Sequence, residues 1–150
     1  MSQQQQNFGS LLLIDPDENA RDSLELLLAG RFDVDSVDGC DAALVEVRRR
    51  QDQGLPPYDA LLIDLDLGRH CADGYETLHW LRGCEGYSEL AVPAIAFSRH
   101  LCEVTVLRCI DAGFELLLPK HGDPDVLCAE VELLLGVEGL ERPQPIRIAA

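Results

Sequence analysis

Asp64 and Asp66 stand immediately after an unbroken apolar run, Ala60-Leu61-Leu62-Ile63. Asp15 and Asp17 follow a second run, Leu11 to Ile14, while Ser98 and Lys120 close two more, Pro93 to Phe97 and Phe114 to Leu118. Carboxylates gathered in one place repel unless a cation joins them. Mg²⁺ suits such a set, because it takes oxygen ligands, keeps several waters and often shares its shell with a phosphate. A carboxylate beside that ion can accept a phosphoryl group and become an acyl phosphate. A lysine and a hydroxyl would then neutralise or hydrogen-bond the phosphoryl oxygens. Taken singly, each acid is more simply a strand or turn cap. Only their convergence would make a site.

The elements that must bring them together read as an alternation. Short apolar runs bounded by turn residues are buried strands, and stretches with apolar residues at helical spacing are amphipathic helices. A strand over Ser10–Ile14 leads through Asp15-Pro16-Asp17-Glu18 into a helix carrying Ala20, Leu24, Leu27 and Leu28, with Gly30 as its stop. A strand around Phe32 to Val37 and a helix from about Asp41 to Gln51 follow, broken by Gln53-Gly54-Leu55-Pro56-Pro57. The Ala60 run is the third strand. Its loop, Gly68 to Gly74, precedes a helix from Tyr75 to Arg82. The Pro93 strand, a helix from about Leu101 to Ala112, the Phe114 strand and a helix capped by Asp123 and running to about Leu135 complete the series. Strands alternating with helices predict a parallel sheet covered on both faces. Right-handed crossovers place all the carboxyl ends of the strands on one edge, where open α/β sheets carry their chemistry.

With 150 residues, the chain suits one domain able to bury a core without staples. Twelve basic residues against twenty-seven acidic ones give a net charge of −15, which argues against direct binding to nucleic acid or an anionic membrane. Arg48-Arg49-Arg50 reads as the end of a helix, complementing its dipole. The six cysteines form no C-x-x-C pair and no zinc spacing, and most sit among apolar neighbours. Without an apolar leader in the Gln-rich start or a run long enough to span a bilayer, a reduced cytoplasmic compartment is the expectation. Residues 1–9 are expected to be a disordered tail, 10–136 the folded domain, and 137–150 a tail or linker remnant.

From Ser10 to Leu135 the chain resembles the response-regulator receiver domain of bacterial two-component signalling. The resemblance rests on Leu-Leu-Leu-Ile-Asp15 with Arg21 downstream, Tyr-Asp-Ala-Leu-Leu-Ile-Asp64, Asp73-Gly74-Tyr-Glu76, Val-Pro93-Ala-Ile-Ala-Phe-Ser98 and Ala112-Gly113-Phe, followed by Leu-Leu-Pro-Lys120. It implies a flavodoxin-like (βα)5 fold, a doubly wound sheet of five parallel strands in the order 2-1-3-4-5. It implies Asp64 as phospho-acceptor, Lys120 as the phosphate-binding lysine and Ser98 as the switch hydroxyl. Mg²⁺ would be held by Asp15, Asp17, Asp64 and the main-chain carbonyl of Asp66. The implied donor is a sensor histidine kinase or phosphotransfer protein, and the implied docking face joins the fourth helix, fifth strand and fifth helix. A homodimer through that face is expected, since Val104, Leu107 and Val126 to Leu135 are rather apolar for a surface.

Several positions depart from the family pattern. Pro16 stands where a second adjacent acid is usual, which weakens the expected Mg²⁺ site. Leu117 replaces an aromatic residue that reports on the switch hydroxyl, and His121 replaces a cis-proline after Lys120. A non-proline cis bond costs about 2.5–4 kcal/mol, so that loop is expected to be trans or strained. Arg99 occupies a position usually small. The loop from Asp64 to Gly74 is longer than usual, and His70 and Cys71 in it read as loop residues rather than ligands.

Three functions compete. One is a phospho-accepting receiver that signals by protein contact and catalyses nothing beyond phosphorylation and dephosphorylation of its own Asp64. Another is an atypical, phosphorylation-independent receiver acting as a dimerisation or docking module, as Pro16, Leu117 and His121 suggest. The third is a D-x-D aspartyl phosphatase with Asp64 as nucleophile and Asp66 as acid. In that enzyme family, however, the motif follows the first strand and a longer chain completes the site.

Overall fold

Leu12, Ile14, Leu61, Ile63, Ala94, Ala96 and Leu117 lie in one buried cluster, and Leu11, Leu13, Ala60, Leu62, Ile95, Phe97, Leu116 and Leu118 lie in another. Strand side chains alternate faces, so these runs are apolar throughout because both faces of the sheet are covered. The computed structural model describes residues 7–67 and 72–136 and the main chain of 147–148. Its elements are β1 (Ser10–Ile14), α1 (Glu18–Leu28), β2 (Asp33–Val37), α2 (Cys40–Asp52), β3 (Ala60–Asp64), α3 (Gly74–Arg82), β4 (Ala94–Ser98), α4 (Glu103–Ala112), β5 (Leu116–Pro119), α5 (Pro124–Leu134) and β6 (Arg147–Ile148).

The strands pair in parallel in the order β2-β1-β3-β4-β5-β6. The first five give the implied 2-1-3-4-5 order. Leu78 and Leu81 of α3, Ala43 and Val47 of α2 and Cys109 of α4 cover one face. Leu28 of α1 and Leu127, Val131 and Leu134 of α5 cover the other. Helix ends follow the local chemistry. Gly113 takes φ 89° to close α4, and Asp123 caps α5 with Pro124 in its first turn.

Both ends of the chain carry more structure than composition suggests. Asn7 to Gly9 run beside β2, with the Phe8 amide donating to Arg31 O at 2.7 Å and the Asp33 amide donating to Gly9 O at 2.9 Å. Phe8 packs on the second cluster beside Phe32, ring centroids 6.1 Å apart. One partly buried aromatic anchors an otherwise polar start. At the other end, Arg147–Ile148 add to the sheet beside β5, in a stretch whose sequence shows no element. Residues 1–6, 137–146 and 149–150 fall outside the described residues, as do His70 and Cys71.

Arg48 to Arg50 do end a helix. Arg49 pairs with Glu46 at 2.8 Å, and Arg50 lies over the Tyr58 ring at 4.2 Å while donating to Pro56 O at 2.8 Å. These are structural contacts. Among the described residues no helix is long and apolar enough to cross a membrane.

Candidate functional site

Asp64 is the last residue of β3, and its side chain is 1% exposed. Its register partner in β4 is Phe97, one residue before Ser98, and Ser98 in turn lies opposite Pro119, one residue before Lys120. Parallel pairing thus brings three strand ends to one place, and β1, which pairs with β3, delivers Asp15 to the same edge. Lys120 Nζ is in hydrogen-bonded contact with Asp64 Oδ2 and lies 3.4 Å from Asp15 Oδ1, its side chain only 8% exposed. The structure brings Asp15, Asp64 and Lys120 together at this edge.

The electrostatics follow from that burial. Removal from water pushes the Asp64 carboxyl up, against the hydrogen bonds from Lys120 and the Asp66 amide and with help from the Asp15 charge. Burial works against the charged form of Lys120, but its contacts with Asp64 and then Asp15 prevail and hold its pKa above the usual value. Two carboxylates share one ammonium, leaving the edge negative.

The remaining residues are placed differently from one another. The Asp66 amide donates to Asp64 Oδ1 at 3.1 Å, so the turn after β3 is tied to the Asp64 side chain, while the Asp66 side chain is exposed. The Asp17 amide donates to Asp15 Oδ1 at 2.9 Å, but the Asp17 carboxylate points the other way, accepting from the Asn19 amide at 3.0 Å as the cap of α1. The Ser98 hydroxyl accepts from the His100 amide at 3.0 Å and donates to His100 O at 3.1 Å, occupied by its own loop. Among the described residues no three His, Cys, Asp or Glu side chains gather closely enough to hold a metal ion.

The loop after Lys120 turns through a left-handed residue. His121 has φ 62°, the one non-glycine residue with positive φ among those described. The turn is tight, since a Cβ on Gly122 would sit 2.9 Å from Pro119 Cγ. Leu117 is fully buried between β4 and α4. Arg99 is exposed at the start of the β4–α4 loop.

Two contributors, Arg21 and Gly74, carry the resemblance in the sequence but are assigned no part in the site there. Arg21 Nη1 donates to the Asp15 carbonyl at 2.7 Å, fixing the strand end that carries Asp15. A basic residue on the first turns of the helix after an acidic strand end is the available signal. Gly74 admits the β3–α3 loop against the strand end, for a Cβ there would lie 2.6 Å from Asp64 O and 2.7 Å from Leu65 Cα. Backbone cannot give way as a side-chain tip can. Gly74→Ala is therefore expected to cost about 2 kcal/mol in urea unfolding, and to displace the loop after Asp64 as well.

A family profile for the response regulator receiver domain matches residues 11–132. The chain belongs to the response regulator receiver family. Solved structures agree on the fold. A protein described as a response regulator, from Chloroflexus aurantiacus, superposes with TM-score 0.72 at 24% identity over 85% of this chain and 98% of that one. A two-component response regulator from Clostridium difficile gives TM-score 0.71 at 19% identity, covering 84% of this receiver and 94% of that chain. The Mn²⁺-bound form of response regulator Rcp1 gives 0.64 at 16% identity, covering 91% and 99%. Among curated proteins, Histidine kinase 1 of Arabidopsis thaliana is 28% identical over 75 residues, half of this receiver and 6% of that protein. The receiver thus spans a small part of that kinase's length.

Proposed function

We propose that this receiver accepts a phosphoryl group on Asp64 from a sensor histidine kinase or a phosphotransfer protein. The observation that carries the reading is the contact of Lys120 with a carboxylate buried at the end of the central strand. An Asp64 carboxylate oxygen attacks phosphorus, the new O–P bond forms as the donor's N–P bond breaks, and the leaving imidazole takes up a proton. Lys120 moves from Asp64 Oδ2 onto the phosphoryl oxygens, where its charge meets theirs. Ser98 releases the His100 backbone to hydrogen-bond a further phosphoryl oxygen.

Mg²⁺ fits as two buried carboxylates against one ammonium, with water completing a shell that one or two carboxylates suffice to anchor. Asp15, Asp64 and the Asp66 carbonyl would hold it, and Asp17 joins only by leaving the α1 cap. When bound, the ion supplies charge neutralisation between the acceptor and the incoming phosphoryl group. The test is covalent: intact mass after incubation with acetyl phosphate and Mg²⁺.

A second reading is favoured by specific geometry. Leu117 is fully buried and aliphatic, so no ring follows Ser98 inward, and His121 replaces the usual loop geometry. Those positions fit a receiver that docks partners without a phosphorylation-driven switch, for example through a second copy on the face of α4, β5 and α5. Val104, Leu107 and Ile110 on α4 are 65%, 54% and 49% exposed there. Absence of any phosphoryl adduct selects this reading. The phosphatase reading calls for turnover of an aryl phosphate, and negligible turnover is expected. Cytoplasmic residence belongs with all three.

A further inference from the structure

The helices on the α2–α3–α4 face of the sheet are held unevenly. Within α4 only Cys109 is buried, whereas α3 buries Gly74, Thr77, Leu78 and Leu81. No side chain caps the start of α4, and the loop leading into it is tied by Ser98 through its two bonds with His100. A helix with one buried residue and no side-chain cap has low local stability.

Arg108 supplies a hold that the core does not. Its guanidinium carbon lies 4.0 Å from the centroid of the Tyr75 ring, and its Nη2 stands 3.8 Å from Asp73 Oδ2. Asp73 and Tyr75 begin α3. The Asp73 side chain accepts from the Glu76 amide at 2.9 Å, and the Asp73 carbonyl accepts from the Thr77 hydroxyl at 2.8 Å. Tyr75 is braced edge-on against Phe114, ring centroids 6.2 Å apart. Between these two residues is Gly74, whose amide donates to Leu65 O at 3.2 Å and which has no room for a Cβ against Asp64 O. One arginine of α4 thus holds the residues on either side of the glycine wedged against the end of β3.

An exposed ion pair or a single cation–π contact is worth little alone. Here both act on a segment without slack. Gly74 cannot lift without losing Leu65 O, and Asp73 cannot turn away without uncapping α3. Motion of α4 and motion of the loop after Asp64 therefore meet at one side chain, on the opposite side of α4 from any route along β5.

We propose that Arg108 is a positioning residue that couples α4 to the loop after Asp64, acting through Asp73 and Tyr75. Such coupling is reciprocal: what engages the carboxylate edge changes the order of α4, and loosening α4 loosens the start of α3. Its use in the phosphorylated state rests on Asp64 as acceptor, while the coupling itself does not.

Residue-resolved hydrogen exchange on the full chain, Arg108→Ala and Arg108→Lys tests this. Without a phosphodonor, Arg108→Ala is expected to speed exchange roughly fivefold at the Gly74, Glu76 and Thr77 amides as well as in α4, with β1 and β3 amides unchanged. Lysine keeps the charge opposite Asp73 but not the planar stack, so Arg108→Lys should fall between the two. Faster exchange confined to α4 makes Arg108 a surface contact of its own helix and overturns the proposal. Loss of protection that reaches β3 equally is global destabilisation and overturns it too. A second arm adds acetyl phosphate and Mg²⁺ and reads intact mass on the same samples. With the adduct present, protection in α4 should change in the unmodified chain and less in Arg108→Ala; equal changes overturn the coupling. No adduct on the unmodified chain ends the phospho-acceptor reading instead, and the first arm still decides the role of Arg108.

Discussion

Incubated with acetyl phosphate and Mg²⁺, the chain is expected to gain one phosphoryl group, and Asp64→Asn is expected to gain none. Asparagine keeps the size and most hydrogen bonds of the side chain but is not a nucleophile towards phosphorus, so loss of the adduct reports chemistry rather than unfolding. Neighbouring acids separate the roles further. Asp15 is buried beside Lys120, with Oδ1 3.4 Å from its ammonium, so Asp15→Asn should slow Mg²⁺-dependent labelling at least tenfold. Asp17 caps α1, so Asp17→Ala should cost about 1 kcal/mol of stability and leave labelling close to that of the unmodified chain. Equal slowing by the two variants would show that Asp17 leaves the cap to bind the ion. Ser98→Ala tests the switch hydroxyl: it should label, since the acceptor and lysine are intact, but dephosphorylate with altered kinetics. An adduct that persists in Asp64→Asn would place the acceptor elsewhere and end the phospho-acceptor reading.

What could be read in the sequence was the placement of strand ends, because strands buried on both faces leave an unmistakable apolar run and the residue after each run must lie on the sheet edge. Asp15, Asp64 and Ser98 follow from that rule, and Lys120 lies one residue beyond it, after Pro119. Side-chain direction did not follow. Asp17 sits equally well in the sequence as a metal ligand or as a helix cap, since both uses want a carboxylate just past a strand, and the free amides of α1 take it. Ser98 shows the same limit, its hydroxyl spent on His100 rather than turned toward Asp64. Phe8 and β6 escaped for another reason: a single anchor or two paired residues produce no periodicity. Leu117 and His121 were visible as departures, but the strain came with the backbone angle of His121, a quantity the residue name only hints at.

Lys120→Met is expected to destabilise the fold by about 3 kcal/mol near neutral pH, the largest effect on stability of any single change at the site. Its side chain is 8% exposed, between carboxylates that are 1% and 4% exposed, and methionine fills the volume without the charge. What is lost is compensation of buried negative charge. The direction of the pH dependence follows from Asp64, whose carboxyl burial already pushes above its ordinary value even with Lys120 donating to it. Without that donor the folded-state value rises further, so the folded state binds a proton more tightly than the unfolded one. Stability then increases as pH falls towards the carboxyl range and declines as pH rises through the folded-state value. Urea unfolding should show the deficit of the variant shrinking between neutrality and about pH 5. Millimolar Mg²⁺ should restore part of it at neutral pH, since a divalent ion can replace the ammonium between Asp15 and Asp64. A variant as stable as the unmodified chain at neutral pH would mean that water already screens the pair. A deficit unmoved by pH and Mg²⁺ would mean that Lys120 contributes packing and no charge compensation.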